Sequence, residues 1–408
     1  MTPLSRRTAL ALLAAGLARP TLAADSALAD MACAGLITVR PDGAEQTLLR
    51  GPEPFDLDRP FRVASVSKMI AAAVFMTHAL ETRLDLDADV SPWLGFRLRH
   101  PAWPDRVISA RLLLSHRSGL RNGPSYPVPL GHDLAEAFQP GGRHWDDGGW
   151  FGPADKSPGE WFAYADVNFA LLAQILEART GERFDLYMRR RLFAPLSLEI
   201  GYNWSGVGQA RRDRAMPGLR RQNGRWVPQV DASPPPAPDV AVVRTPGAPS
   251  LEAYRLGSNG FLFSPQGGLR LSVRDLSRLG RMFVRGGEGV LPRRAIELMQ
   301  RPVWAYTPTT ANGETDGVFQ GYGLGVERPR GAAGPQGDDF FGPGSARWAG
   351  HLGDAYGWMS GLFWNRDSGA ILAWALNGMP ETARPPSSTS SLTAPEAELV
   401  GLGLALLE

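Results

Sequence analysis

Between residues 66 and 80 the chain is almost wholly apolar or small, with Met69, Ile70, Ala71, Ala72, Ala73, Val74, Phe75 and Met76 in succession. A helix that is apolar all round belongs inside a domain rather than on its surface. Residues 166–179 repeat at helical spacing, with Phe169, Leu172, Ile175 and Leu176 on one face and Gly181 just past the end. Further helices are predicted over 109–114 with Ser109 as N-cap, over 184–193 up to Pro195, over 271–284 with Ser272 as cap, and over 395–407. Period-2 and β-branched stretches predict strands over 31–39 and 46–50, around the turn Pro41-Asp42-Gly43. Strands are also predicted over 358–364 and 370–376, joined as a hairpin by 365–369. Residues 121–160 are rich in Gly, Pro and aromatics and read as long loops, and 205–250, with Pro234-Pro235-Pro236, reads as irregular surface structure.

Strands thus lie near both ends of the chain, with helix and loop between. That order predicts an α+β fold: a mainly antiparallel sheet flanked by helices, interrupted by a mostly helical inserted subdomain. The expected division is one domain over 28–408, its α/β part formed by 28–82 and 255–408 and its insertion by 83–254. Residues 1–24 stand outside that fold. Arg6 and Arg7 precede an apolar run over 9–17 and the small residues Ala23 and Ala24, the layout of an export signal. Ser5-Arg6-Arg7-Thr8-Ala9-Leu10 resembles a twin-arginine signal, so a periplasmic or secreted location is expected. No later stretch approaches 18 uninterrupted apolar residues, and no stable membrane insertion is expected.

The 408 residues carry a formal net charge of only +2, without the clustered basic surface that nucleic-acid binding requires. The lone Cys33, in a strand-like apolar run, reads as a buried small hydrophobe. There is no His-Glu-x-x-His and no cysteine pair among six scattered histidines, so neither a catalytic metal nor another cofactor is expected. There is no Gly-x-Ser-x-Gly elbow of the α/β-hydrolase kind either.

One compositional detail does change the picture: 41 arginines stand against two lysines, Lys68 and Lys156. Lys68 lies in the apolar helix, three residues after Ser65, so both side chains project from one helical face about a turn apart. Ser65 would sit at the helix start, where free N–H groups favour developing negative charge. A serine hydroxyl needs a neighbour to take its proton, and a desolvated lysine can lose its own whereas arginine cannot. A lysine retained in an arginine-rich chain therefore points to proton transfer.

At Phe61-Arg62-Val63-Ala64-Ser65-Val66-Ser67-Lys68 the chain resembles the nucleophile segment of the serine β-lactamase and penicillin-binding D,D-carboxypeptidase superfamily, which has Ser-x-x-Lys among its signatures. Residues 113–120, Leu-Leu-Ser-His-Arg-Ser-Gly-Leu, are similar to the loop after that helix. Pro158 to Asp166, containing Tyr164, is similar to the superfamily's tyrosine motif. Phe193-Ala194-Pro195-Leu196, Gly321-Tyr322-Gly323-Leu324-Gly325 and Gly350-His351-Leu352-Gly353 follow in order, the last in the His-x-Gly form of the group's carboxypeptidases, D-aminopeptidases and esterases.

The resemblance implies catalysis by Ser65, Lys68 and Tyr164: Ser65 forms an acyl-enzyme, and Lys68 and Tyr164 share the proton movements. It implies an oxyanion hole from the N–H groups of Ser65 and of Asp354, just after Gly353, and a His351 that lines the pocket and helps orient the tyrosine or the substrate. Asp166 stands where the family has an asparagine contacting lysine and substrate. A carboxylate there should keep Lys68 protonated, which favours Tyr164 as base, with Lys68 a cation lowering its pKa. Tryptophans in 145–161 and 348–358 suggest an aromatic-walled pocket, or alternatively core filling. The substrates implied are small esters, amides or short peptides. An esterase or a D-amino-acid peptidase or amidase leads, ahead of a β-lactamase or D,D-carboxypeptidase. The reading from another class, kept open by Asp166, is a binding protein that has lost turnover.

Overall fold

The computed structural model describes residues 26–229, 251, 254–314, 317–380 and 386–408; the expected export signal and Pro234-Pro235-Pro236 lie outside these. Its centre is a five-stranded antiparallel sheet. Strands β1 (Cys33–Val39) and β2 (Glu45–Arg50) come from the start of the chain, and β3 (Trp348–Ala355), β4 (Trp358–Asn365) and β5 (Ile371–Asn377) from near its end. The spatial order is β3-β4-β5-β1-β2, so β1 pairs with β5 and closes the two chain ends into one sheet.

Strand alternation sorts side chains onto two buried faces. Ile37, Val39, Leu362, Trp364, Ile371 and Ala373 join the larger core, with helices α1 (Val66–Glu81), α2 (Val167–Thr180) and α3 (Val273–Val284). Their neighbours Leu36, Phe363, Leu372 and Trp374 point the other way, toward Leu399 and Val400 of α4 (Ala394–Leu407). Covering both faces is what makes β1 and β5 buried throughout, and apolar but for Thr38 and Asn377, instead of alternating. The edge strand β2, by contrast, alternates exposed and half-buried positions.

The expected elements appear within a residue or two. Ser109 caps Ala110–Leu114 by accepting the Leu112 N–H, and Asp166 stands at the N-cap of α2. Residues 184–193 are helical, with Phe184–Met188 α-helical and Arg189–Phe193 widened to a π-turn. Cys33 is fully buried. One expectation is corrected. Part of the segment read as irregular is a hairpin, Gly218–Gln222 against Arg225–Gln229, turned at Asn223-Gly224 with φ of 48° and 73°. An Asn-Gly pair is the favoured two-residue hairpin turn, so the signal was present.

Strand β3 was not foreseen, because Gly350, Gly353 and Asp354 lower its strand propensity. It forms nonetheless because Tyr356 and Gly357, at φ 53° and 86°, make a tight reversal onto β4 and every residue from Trp348 to Ala355 pairs across it.

The cap of α3 is reciprocal: Ser272 Oγ accepts the Asp275 N–H at 3.2 Å while the Asp275 carboxylate accepts the Ser272 N–H at 2.9 Å. Ser272→Ala should cost about 1 kcal/mol, read as a lower urea midpoint with an unchanged slope. A wild-type midpoint would mean the cap contributes nothing.

Candidate active site

Four segments meet at the start of α1. Ala64 takes the left-handed conformation at φ 53°, uncommon for a residue with a side chain, and delivers Ser65 to the N-cap of α1. Ser65 is partly exposed, whereas every residue from Val66 to Ala79 is buried. Lys68, on the same face, has no exposed side-chain surface. Its Nζ lies 3.0 Å from Ser65 Oγ, 2.7 Å from the Gln266 carbonyl oxygen and 2.7 Å from Asp166 Oδ1. The predicted serine–lysine contact is therefore present, and an acceptor from the Gln266 loop completes it.

Asp166 does not cap its own helix. Its carboxylate turns to Lys68 and also accepts from Tyr126 Oη at 2.9 Å and Asn122 Nδ2 at 3.4 Å. Burial alone would raise its pKa, but the Lys68 charge and these donors hold it below the usual carboxylate value. Lys68 is moved down from an ordinary lysine by burial, and the Asp166 charge works against that fall.

Tyr164 is set against the same group, with its ring 4.7 Å from Lys68 Nζ. It is held between His116, at 4.4 Å between centroids, and Phe319, at 4.6 Å. His116 Nδ1 accepts both the Ala165 N–H at 3.1 Å and Asn168 Nδ2 at 3.0 Å, which fixes the backbone between Tyr164 and Asp166. The Tyr164 hydroxyl is buried without a hydrogen bond of good geometry, and Ser65 is the neighbour that favours its ionised form. Burial and then the Asp166 charge outweigh that help and push its pKa well above that of an ordinary phenol. This corrects the expectation that Lys68 lowers it: in the resting site Tyr164 is a neutral phenol.

Strand β3 brings the edge it turns away from β4 to Ser65. The outward N–H of Leu352 donates to Glu327 Oε1 at 3.0 Å, and Gly350 exchanges backbone hydrogen bonds with Glu327. Alternation then turns the N–H of Asp354 outward on the same edge. A Cβ on Gly353 would fall 2.4 Å from the Val63 carbonyl oxygen and 3.2 Å from the Ser65 nitrogen, so only glycine permits this approach. The expected pair of oxyanion donors, Ser65 and Asp354, flanks that contact, with the Asp354 residue itself exposed.

His351 is corrected: it does not line the pocket. It is fully buried behind β3, where Nδ1 lies 2.6 Å from the Leu352 carbonyl oxygen and 3.1 Å from Glu327 Oε1, and Nε2 lies 3.0 Å from Tyr322 Oη. Two acceptors at Nδ1 place the proton there, so Tyr322 donates to Nε2. Burial, then the Lys68 charge, hold His351 down to about 3, and burial pushes Glu327 up to about 8. Both are neutral at pH 7. Tryptophans 150, 348 and 358 are likewise core residues, so the aromatic-wall expectation gives way to core filling there.

Sequence reasoning missed Tyr126, Asn122, Gln266 and Glu327. Tyr126 and Asn122 sit in the long loop after residue 120, and Gln266 contributes a backbone carbonyl, for which no residue type is diagnostic.

The family model described as Beta-lactamase matches residues 27–390. Penicillin-binding protein 4 of Amycolatopsis lactamdurans is 33% identical over 144 residues, 35% of either chain. The D-aminopeptidase of Brucella anthropi is 28% identical over 161 residues, 37% of this chain and 28% of that one. The matches thus span about a third of the length of these curated relatives. In fold the chain is similar to the D-amino acid amidase of Ochrobactrum anthropi SV3 solved with D-phenylalanine. That similarity has a TM-score of 0.63 at 18% identity, over 93% of this chain and 95% of that one.

The buried pair behind β3 makes stability depend on pH in opposite directions. Neutral His351 contributes stability that is complete above about 6.5 and lost as pH falls toward about 3. Protonated Glu327 contributes stability that is complete below about 4.5 and lost as pH rises through about 8. Between about 4.5 and 6.5 the two slopes oppose, and above that Glu327 acts alone. Glu327→Gln should therefore flatten the fall in unfolding temperature between about pH 6.5 and 8, removing on the order of 2 kcal/mol of pH-dependent loss. A slope equal to wild type would show that Glu327 is ionised in the fold.

Proposed function

This chain belongs to the beta-lactamase family, and from that premise we propose that it cleaves amide or ester bonds of small D-amino-acid derivatives through an acyl-enzyme on Ser65. It is a serine hydrolase of the β-lactamase-related kind. The observation that carries the finer reading is the 3.0 Å contact between Ser65 Oγ and a fully buried Lys68 Nζ, with Asp166 at 2.7 Å on its other side.

The hydrogen-bond geometry fits Lys68 as the base. In the resting site Nζ donates to Ser65 Oγ, the Gln266 carbonyl and Asp166; on losing one proton the amine keeps two of these donors, for Gln266 and Asp166, and can turn its lone pair to the Ser65 hydroxyl. Ser65 Oγ then attacks the carbonyl carbon and its proton passes to Lys68 Nζ. The oxyanion forms between the N–H groups of Ser65 and Asp354. Tyr164, a neutral phenol, gives its proton to the departing amine or alcohol oxygen, and the steps reverse with water to release the acid.

Charge supports the choice of substrate. The third motif turns no cation toward Ser65, since His351 is buried and neutral, so nothing there pairs with the carboxylate of a β-lactam. The ionised Asp166, one-quarter exposed, favours a substrate carrying an ammonium group, in keeping with the D-aminopeptidase match. Export through the basic and apolar first 24 residues is part of the same proposal.

Two sets of measurements test the reading. A fluorophosphonate probe should add one adduct to the intact mass of wild type and none to Ser65→Ala, and Lys68→Arg should lose about 10²–10⁴-fold in kcat/KM. Near-normal turnover in Lys68→Arg would remove lysine as the base. The second follows from the charges around Lys68. Asp166→Asn leaves burial to act on the lysine without the opposing carboxylate, so its pKa falls further and the neutral base persists to lower pH. The acidic limb of kcat/KM on a D-amino-acid nitroanilide should move down by about one pH unit or more. An unmoved limb would separate Asp166 from the base.

A further inference from the structure

The long loop that supplies Asn122 and Tyr126 also carries a cluster the catalytic reading does not use. His132 Nδ1 lies 2.6 Å from His144 Nε2, and His132, His144 and Glu136 each offer one ligand atom within 4.8 Å of the others. Backbone packing brings the three together. The turn Leu134–Ala137 opens with the Asp133 N–H donating to Glu136 Oε1 at 3.3 Å, which aims that carboxylate. The chain then reverses so closely that a Cβ on Gly142 would fall 2.3 Å from the Glu136 carbonyl oxygen. The His144 N–H donates to that same oxygen at 3.2 Å, and Trp150 Nε1 donates to the His144 carbonyl at 2.7 Å. Two imidazoles and a carboxylate, each with a fixed backbone, form a donor set suited to zinc.

We propose that His132, Glu136 and His144 bind a divalent transition metal, zinc foremost, with a water as fourth ligand. Nitrogens at about 2.0–2.1 Å from a tetrahedral zinc stand about 3.3 Å apart, so the two rings need to separate by about 0.7 Å. Without metal the pair is a hydrogen bond. Arg143 Nη1 donates to His132 Nε2 at 2.9 Å, which leaves the His132 proton on Nδ1 for His144 Nε2. Zinc would bind the other tautomer of His132, in which Nδ1 has given its proton to water and Nε2 has taken one from water, so that Arg143 can no longer donate there. Arg143 is exposed and also paired with Glu136 Oε2 at 3.4 Å, so it is the built-in competitor that must turn into solvent. A bound metal would cross-link residues 132–144 of the loop whose Asn122 and Tyr126 hold Asp166.

The test is a calorimetric titration of the untagged, chelator-stripped protein with zinc chloride. One saturable site per chain is expected. His132→Gln and His144→Gln should each bind at least about 10-fold more weakly, and Arg143→Gln several-fold more tightly. Far-UV circular dichroism and unfolding temperature in chelator establish that each variant is folded. Cobalt(II) supplies a second readout, since the intense visible bands of a four-coordinate site should appear in wild type and vanish in the His132→Gln protein. Absence of a saturable site in wild type, or wild-type affinity in either histidine variant, overturns the proposal.

Discussion

Lys68 has no exposed side-chain surface, and its nitrogen must therefore find every partner inside the protein. A buried amine left alone costs several kcal/mol or gives up its proton. Here three separate segments answer it: Ser65 from the same helix, the Gln266 carbonyl from a later loop and Asp166 from the start of α2. The requirement ties α1, α2 and the loop before β-paired Leu269 to one point. The same requirement makes the hydroxyl of Ser65 chemically distinct from the chain's other serines. Asp166 is itself held by Tyr126 and Asn122, so the charge balance around Ser65 and Lys68 extends into the long loop.

The opposite wall of the site is an edge of backbone. Strand β3 contributes N–H groups whose direction depends on strand register, and its approach to Ser65 depends on Gly353 having no side chain. Behind it the carboxyl of Glu327 and the ring of His351 grip the Leu352 peptide from its N–H and its C=O. A neutral acid and a neutral imidazole can occupy that dry position at lower cost than their charged forms, which explains why both depart from their ordinary pKa values in the direction of neutrality. A histidine in this motif thus supports the strand and itself turns no cation toward Ser65.

The helix read from residues 66–80, the Ser109 and Ser272 caps, the strand pairs at both chain ends and the spacing of Ser65 to Lys68 were legible because each depends on local periodicity or capping chemistry. Tyr164 and Asp166 were found through their flanking residues, since an isolated tyrosine or aspartate carries no signal of its own. The direction of the Tyr164 pKa is not legible in the sequence, because the motifs imply a nearby lysine but not how much water the fold removes from the phenol. Strand β3 escaped notice because its glycines, chosen for close approach to α1, lower local strand propensity.

What the amino-acid order determined by itself was the inventory: a serine and a lysine one helical turn apart, an apolar helix to carry them, and two sets of strands to form a sheet. Only the tertiary structure decided the charges. Whether Asp166 faces Lys68 or solvent, whether His351 lines a pocket or backs a strand, and whether His132 meets His144 depend on which distant segments exclude water from the same place. Electrostatic energies in a protein follow from that exclusion, and it is a property of packing in three dimensions that no local pattern encodes.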